Sequence, residues 1–286
     1  MNGLFMTKVG RKGLVASAAA IVVAAGALVL VAQGTSGAAR SSLTVDVPPP
    51  VHDRIYGAPQ ARGRPIVVID AGHGGRDPGA TSVSGQVREK DLTLELAREL
   101  REELVKRGRV RVAMTRDGDD YLTLDDRAAV AQRLNAGVFV SLHMDSAPNP
   151  LARGATVYSL SDVASDAEAA RLAAAENGDR AGSPRPDTVQ ALLSDLSMQS
   201  QMSASADLAA RMVSRASGRV ELRPEPHRFA SFHVLRRAEA PAVLFEAGYI
   251  SNADDEVALR SPDQRAKIVR SLADAIEADV ASANRR

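Results

Sequence analysis

Two histidines stand where a sheet most easily holds reactive side chains. His73 follows the apolar run Ile66-Val67-Val68-Ile69 and the Asp70-Ala71-Gly72 break, and it opens the turn Gly74-Gly75-Arg76-Asp77-Pro78-Gly79. His143 closes a second run, Gly137-Val138-Phe139-Val140-Ser141-Leu142, ahead of Asp145 and Pro148-Asn149-Pro150. A β-branched run ending in a glycine-rich turn presents side chains at the carboxyl rim of a parallel-type sheet, so the two imidazoles can meet on one rim. Two imidazoles and a carboxylate leave zinc an open position for water. Thiolate ligands are excluded, because the 286 residues include no cysteine. A phosphate cradle fits less well: the glycines lack the dinucleotide spacing and no Gly-Lys-Ser/Thr follows.

A carboxylate must complete such a set. Glu89 precedes a stretch in which Leu92, Leu96, Leu100 and Leu104 recur at helical spacing. An acid in that first turn is favoured by the helix dipole and can point at the sheet rim; taken alone, Glu89 reads more readily as an N-terminal capping acid. Far downstream, Val243-Leu244-Phe245 reads as a buried strand that ends in Glu246 before Ala247-Gly248. A carboxyl at the rim of an apolar strand has its pKa raised by burial and suits a general base, unless it is simply solvated there. Asp70, Asp77 and Asp145 are candidates to orient His73 and His143, or to stabilise their turns.

The elements that position these residues alternate. Strands are expected at 65–70, 109–115, 137–142, 154–160, 231–236 and 241–246, with helices at 88–107, 122–135, 163–176, 187–217 and 262–282. This pattern predicts an α/β fold, a mixed and largely parallel sheet of about six strands with helices on both faces.

The segments VIDAGHGGRDPGA, REKDLTLELARELREEL, GVFVSLHMDSAPNP and APAVLFEAGYISNADDE, in that order, resemble the zinc-dependent N-acetylmuramoyl-L-alanine amidases. The resemblance runs from Pro65 to about Ala281. It implies a phosphorylase/hydrolase-like fold, Zn2+ held by His73, Glu89 and His143, Glu246 as the catalytic glutamate, and peptidoglycan as the substrate. The bond at stake would be the amide joining the lactyl group of N-acetylmuramic acid to L-alanine of the stem peptide. Met144 departs from the alanine usual in relatives, and its bulk is expected to narrow the cleft floor without touching a ligand. Relatives that answer to activator proteins cover the metal with an inserted helix. Glu176 in the 163–176 helix resembles the acid that takes the open position, which would make the 161–195 region the target of an activator protein; an ordinary Ala-rich packing helix is the other reading.

Composition bounds the rest. A net charge of +1 gives no nucleic-acid footprint, and with no tryptophan a polymer must be held by hydrogen bonds and shape. Residues 1–64 carry seven Lys/Arg against Asp46 and Asp53, which leaves the remainder mildly acidic. Lys8, Arg11 and Lys12 precede an uncharged run from Leu14 to Ala32 and the small residues Ser36-Gly37-Ala38. This order predicts a signal peptide or N-terminal anchor over 1–38, a Pro48-Pro49-Pro50 linker over 39–64, and a catalytic domain over 65–286. The protein is expected to be exported to the periplasm or cell envelope, touching membrane only through an uncleaved N-terminal segment. Two rival readings use the same residues. A zinc carboxypeptidase would need a cation such as Arg76, Arg88 or Arg127 to clamp a terminal carboxylate, and a non-catalytic wall-binding descendant would have no use for Glu246.

Overall fold

The computed structural model describes residues 53–178 and 189–283, with the side chains of 189–194 left aside. The expected signal segment, most of the linker and the loop around Pro184 and Pro186 lie outside the described residues. Seven strands form one sheet: β1 (Ile55–Tyr56), β2 (Ile66–Ala71), β3 (Arg111–Met114), β4 (Val138–Asp145), β5 (Ala155–Leu160), β6 (Leu222–Ala230) and β7 (Ala242–Tyr249). Their order is β1-β3-β2-β4-β7-β5-β6. Strands β3, β2, β4 and β7 run parallel, while β1, β5 and β6 run the other way.

Seven α-helices accompany the described sheet: α1 (Glu89–Arg107), α2 (Leu124–Arg133), α3 (Ala167–Asn177), α4 (Val189–Ala216), α5 (His233–Arg237), α6 (Ala253–Arg260) and α7 (Pro262–Ala283). Alternate strand residues face opposite ways, so two cores form. Val67, Ile69, Val140, Leu142 and Phe245 pack against α1, α4 and α7, whereas Val68, Phe139, Tyr158 and Leu244 pack against α2, α3 and α5. Burial on both faces explains why the central strands read as continuous apolar runs rather than alternating ones. In α1, Leu92, Leu96, Leu100 and Leu104 are all buried, each contributing roughly 1.5–3 kcal/mol of hydrophobic stabilisation. The helix stops at Gly108, whose φ of 68° is the left-handed conformation that ends many helices. No helix among the described residues is long and apolar enough to cross a membrane.

The strand expected at 231–236 is displaced. Residues 233–237 form α5, and the strand lies upstream at Leu222–Ala230. Pro224 and Pro226 hid it, because proline interrupts a ladder; β6 tolerates them as the outermost strand, where some backbone N–H groups need no partner. A seventh strand, β1, pairs with β3 inside the segment expected to be linker, so residues 55–56 are stitched to the sheet edge rather than spanning free.

Candidate active site

The odd-even pattern that builds the cores also aims the site. Asp70, His143 and Glu246 share strand parity with Val68, Phe139 and Leu244, and therefore face the α2/α3/α5 side at the carboxyl rim of the parallel strands. His143 and Glu246 are direct neighbours in the β4–β7 register, beside an irregularity between His143 and Asp145. Glu89 reaches the same place from the opposite side, as the first residue of α1.

Four ligand-type atoms converge there. Glu89 Oε1 lies 3.0 Å from His73 Nε2 and 3.1 Å from His143 Nδ1, and Glu176 Oε2 from α3 lies 3.5 Å from the same His143 nitrogen. The His73 and His143 ring centroids are 4.9 Å apart. His73 Nδ1 is held by Asp77 at 3.0 Å, an arrangement that fixes tautomer and ring direction for a metal-ligating imidazole. His73 Nε2 is buried and, apart from its approach to Glu89, meets no hydrogen-bond partner. A buried nitrogen facing a carboxylate and a second imidazole suits a divalent cation. The donor set of imidazoles and carboxylates is of the kind zinc accepts.

Close approach makes two glycines obligatory. A Cβ at Gly72 would sit 2.5 Å from His143 Cε1, and one at Gly79, where φ is +62°, would sit 2.6 Å from Glu89 Oε2. His73 itself has a φ of 58°, a strained conformation for a non-glycine residue that persists only where the surroundings dictate it. Two buried arginines do so. Arg127 Nη2 donates to the His73 carbonyl at 2.6 Å, and Arg116 donates to the Ala71 and Gly72 carbonyls at 2.9 and 2.8 Å.

Electrostatics follow from this crowding. Burial works against the His73 imidazolium, yet Asp77, Glu89 and Glu176 together outweigh it and push the ring up to about 10. Glu89 is also desolvated, which alone would raise it, but the two histidines hold it well below the carboxylate range. Glu246 has no such partner: burial, then the charges of Asp145, Glu89 and Glu176, push it well above its ordinary value. Its Oε2 is buried without a hydrogen bond. Asp145 is raised to about 6, mainly by burial, with Glu168 adding to the effect.

The expected residues His73, Glu89, His143 and Glu246 are thus brought together, and Glu176 joins them. Of the three aspartates, Asp77 alone orients a histidine. Asp70 accepts from Arg127, Ser141 and Thr115 at 2.8, 2.6 and 2.7 Å, and Asp145 lies against Tyr249. Met144 does not narrow the cleft: its side chain is buried with α1 and α7 on the other face, and its backbone N–H donates to Glu89 Oε1 at 3.0 Å. Arg116, Glu168, Arg223, Arg228 and Tyr249 escape a reading by motif, because each acts through residues distant in the chain. A cavity of about 340 Å3, lined in part by His73, Tyr121, Arg127, His143, Glu176 and Phe232, opens beside the centre.

An α/β sheet bearing an imidazole-carboxylate cluster at the carboxyl rim, with an unpartnered buried glutamate beside it, defines a hydrolase-type domain. A sequence profile of the family described as N-acetylmuramoyl-L-alanine amidase matches residues 67–278. The chain is 33% identical over 225 residues to N-acetylmuramoyl-L-alanine amidase AmiA of Escherichia coli (strain K12), covering 77% of each chain. The catalytic domain of CwlV, an N-acetylmuramoyl-L-alanine amidase from Bacillus (Paenibacillus) polymyxa var. colistinus, superimposes with a TM-score of 0.55 at 26% identity, over 74% of this chain and 96% of that one. The CwlD amidase from Clostridioides difficile, solved in complex with the GerS lipoprotein, shares the fold with a TM-score of 0.57 at 21% identity, over 77% and 100%. This chain belongs to the N-acetylmuramoyl-L-alanine amidase family, and amidase hydrolysis is its activity.

The family match favours the amidase over both rival readings, and part of the geometry agrees. Arg127 is committed to Asp70 and to backbone carbonyls, and Arg76 stacks over Tyr121 at 3.9 Å. Glu246, which a wall-binding descendant would not need, sits in register beside His143.

Proposed function

We propose that the chain is a zinc enzyme that cleaves the amide between the lactyl group of N-acetylmuramic acid and L-alanine of peptidoglycan stem peptides. The convergence of His73 Nε2, His143 Nδ1 and Glu89 Oε1 carries this reading. These three residues would hold zinc, which supplies Lewis acidity for the scissile carbonyl and acidifies water. Glu246 takes the proton of the attacking water and returns it to the leaving amine. Its desolvation makes it a stronger base than a surface glutamate, and Asp77 keeps His73 in the tautomer that directs Nε2 inward.

In the same reading α3 is a cover. Glu176 reaches the position that a water or the substrate must enter, so the described arrangement is a closed one, and an activator protein acting on 161–195 would open it. The N-terminal 1–38 segment exports the enzyme to the periplasm or cell envelope, with residues following it as a spacer. The test is mass analysis of fragments released from purified sacculi by the zinc-loaded protein, with a chelated control. Free stem peptides beginning at L-alanine, absent after chelation, are expected. Release of a terminal amino acid alone, or cleavage unaffected by chelation, would overturn the assignment.

A further inference from the structure

Helix α3 combines a thin apolar contact, Ala169, Ala173 and the half-buried Leu172, with charged links at its N-terminal end. Its fully buried side chains are only Ala169 and Ala173, which bury little apolar surface. At its N-terminal end Glu168 engages Arg223 through two parallel contacts, Nη1–Oε1 at 2.8 Å and Nη2–Oε2 at 3.1 Å. Asp166, which caps the helix by accepting from the backbone N–H of Glu168 and Ala169, also accepts from Arg228 Nε at 3.1 Å.

The two arginines also have contacts outside the helix. Both belong to β6, and each lies over a sheet tyrosine: Arg223 is 5.5 Å from the Tyr249 ring centre and Arg228 is 5.9 Å from that of Tyr158. Arg228 Nη1 also donates to the Tyr158 hydroxyl at 3.3 Å, and Arg223 donates to the Tyr249 hydroxyl. With α3 lifted, two mutually repelling guanidiniums would remain side by side without the carboxylates of Asp166 and Glu168. They would also stand next to the reaction centre, since Tyr249 pairs with Asp145 across β4–β7, two residues beyond His143.

A planar, bidentate guanidinium pair is the chemistry that recognises carboxylates. We propose that Arg223 and Arg228 bind a carboxylate of the stem peptide, on the leaving-group side of the scissile amide, and that Asp166 and Glu168 occupy this subsite as stand-ins while α3 is closed. The helix then blocks two places at once, Glu176 at the centre and Asp166 and Glu168 at the subsite. This inference rests on the amidase reading for its ligand, a peptide that carries a free α-carboxylate on the glutamyl residue after L-alanine.

The experiment is calorimetric binding to the full chain carrying Asp166→Asn and Glu168→Gln, using a synthetic muramyl tripeptide and its analogue amidated at the glutamyl α-carboxyl. Loss of one charge-assisted, bidentate contact should weaken the amidated analogue about tenfold. Adding Arg223→Gln, at the more exposed of the two arginines, should abolish the preference, and Arg223→Lys should restore part of it. Equal affinities for the two peptides, a preference that survives Arg223→Gln, or no binding of either peptide would overturn the subsite. Cleavage of the bound tripeptide is read separately by mass spectrometry. Binding with the expected preference but no cleavage by the zinc-loaded protein would count against the amidase mechanism and leave the subsite standing.

Discussion

At the scale of single residues, the site is built from groups that would be costly apart and are inexpensive together. Glu89 is a fully buried carboxylate, tolerated because two histidines and two backbone N–H groups surround it. Glu246 is buried next to it without such compensation, which suits a proton carrier. Glu246→Gln keeps the volume and loses the base, so turnover on muropeptides should fall about 100-fold or more, with zinc content measured by metal analysis unchanged. Asp70 makes a different kind of prediction. Burial alone would raise its carboxyl, but Arg127, Ser141 and Thr115 outweigh that and hold it below the ordinary range. A carboxyl with a lower pKa in the folded than in the unfolded state contributes stability that is fully present above about pH 4 and is lost as pH falls through the folded value. Asp70→Asn leaves Arg127 buried without its counter-charge and should cost about 3–5 kcal/mol in urea unfolding near neutrality. The variant should also lose less stability than the parent between pH 5 and pH 2.

At the scale of elements, α1 and α3 differ in what binds them to the sheet. Four leucines anchor α1 and its Glu89, so that ligand is as rigid as the core. Helix α3 presents two buried alanines and the half-buried Leu172, and is further held by Arg223, Arg228 and, at its other end, Asn177, which donates to the Ser231 carbonyl at 2.7 Å and accepts from the His233 N–H at 2.7 Å. These contacts are only part-buried, and an element with little apolar burial opens before the core does. Glu176→Ala removes the carboxylate from the centre while leaving these attachments in place. Basal hydrolysis of sacculi should rise severalfold, with circular dichroism and zinc content unchanged; activity equal to or below that of the parent would leave α3 as a packing helix.

Across the whole molecule, the sheet separates stability from chemistry. The α1/α4/α7 face carries the larger apolar core, with Ile276 fully buried in it, whereas the reactive groups occupy the rim of the other face. Ile276→Ala should therefore cost about 2–5 kcal/mol, seen as a lower thermal midpoint. The zinc affinity and the kcat of the fraction that remains folded should stay close to those of the parent.

His73, Glu89, His143 and Glu246 were legible in the linear chain because each interrupts a regular pattern: a histidine or glutamate where an apolar strand ends, or an acid where a leucine-spaced helix begins. Local periodicity likewise sufficed for α1, α7 and the central strands, whose burial on both faces leaves an unbroken apolar run. What periodicity could not carry was anything decided by a partner far away. Edge strand β6 reads as a proline-broken loop until β5 pairs with it. Even the local choice of Asp77 over Asp70 or Asp145 as the histidine's partner needs the turn at Gly74 and Gly75 to fold back. Met144 looked like a cleft residue and proved a core one, since a strand's two faces are told apart only once the sheet is assembled. The salt links of Arg223 and Arg228 to α3 join residues more than fifty positions apart, and no spacing along the chain encodes a contact that exists only when β5, β6 and β7 lie side by side.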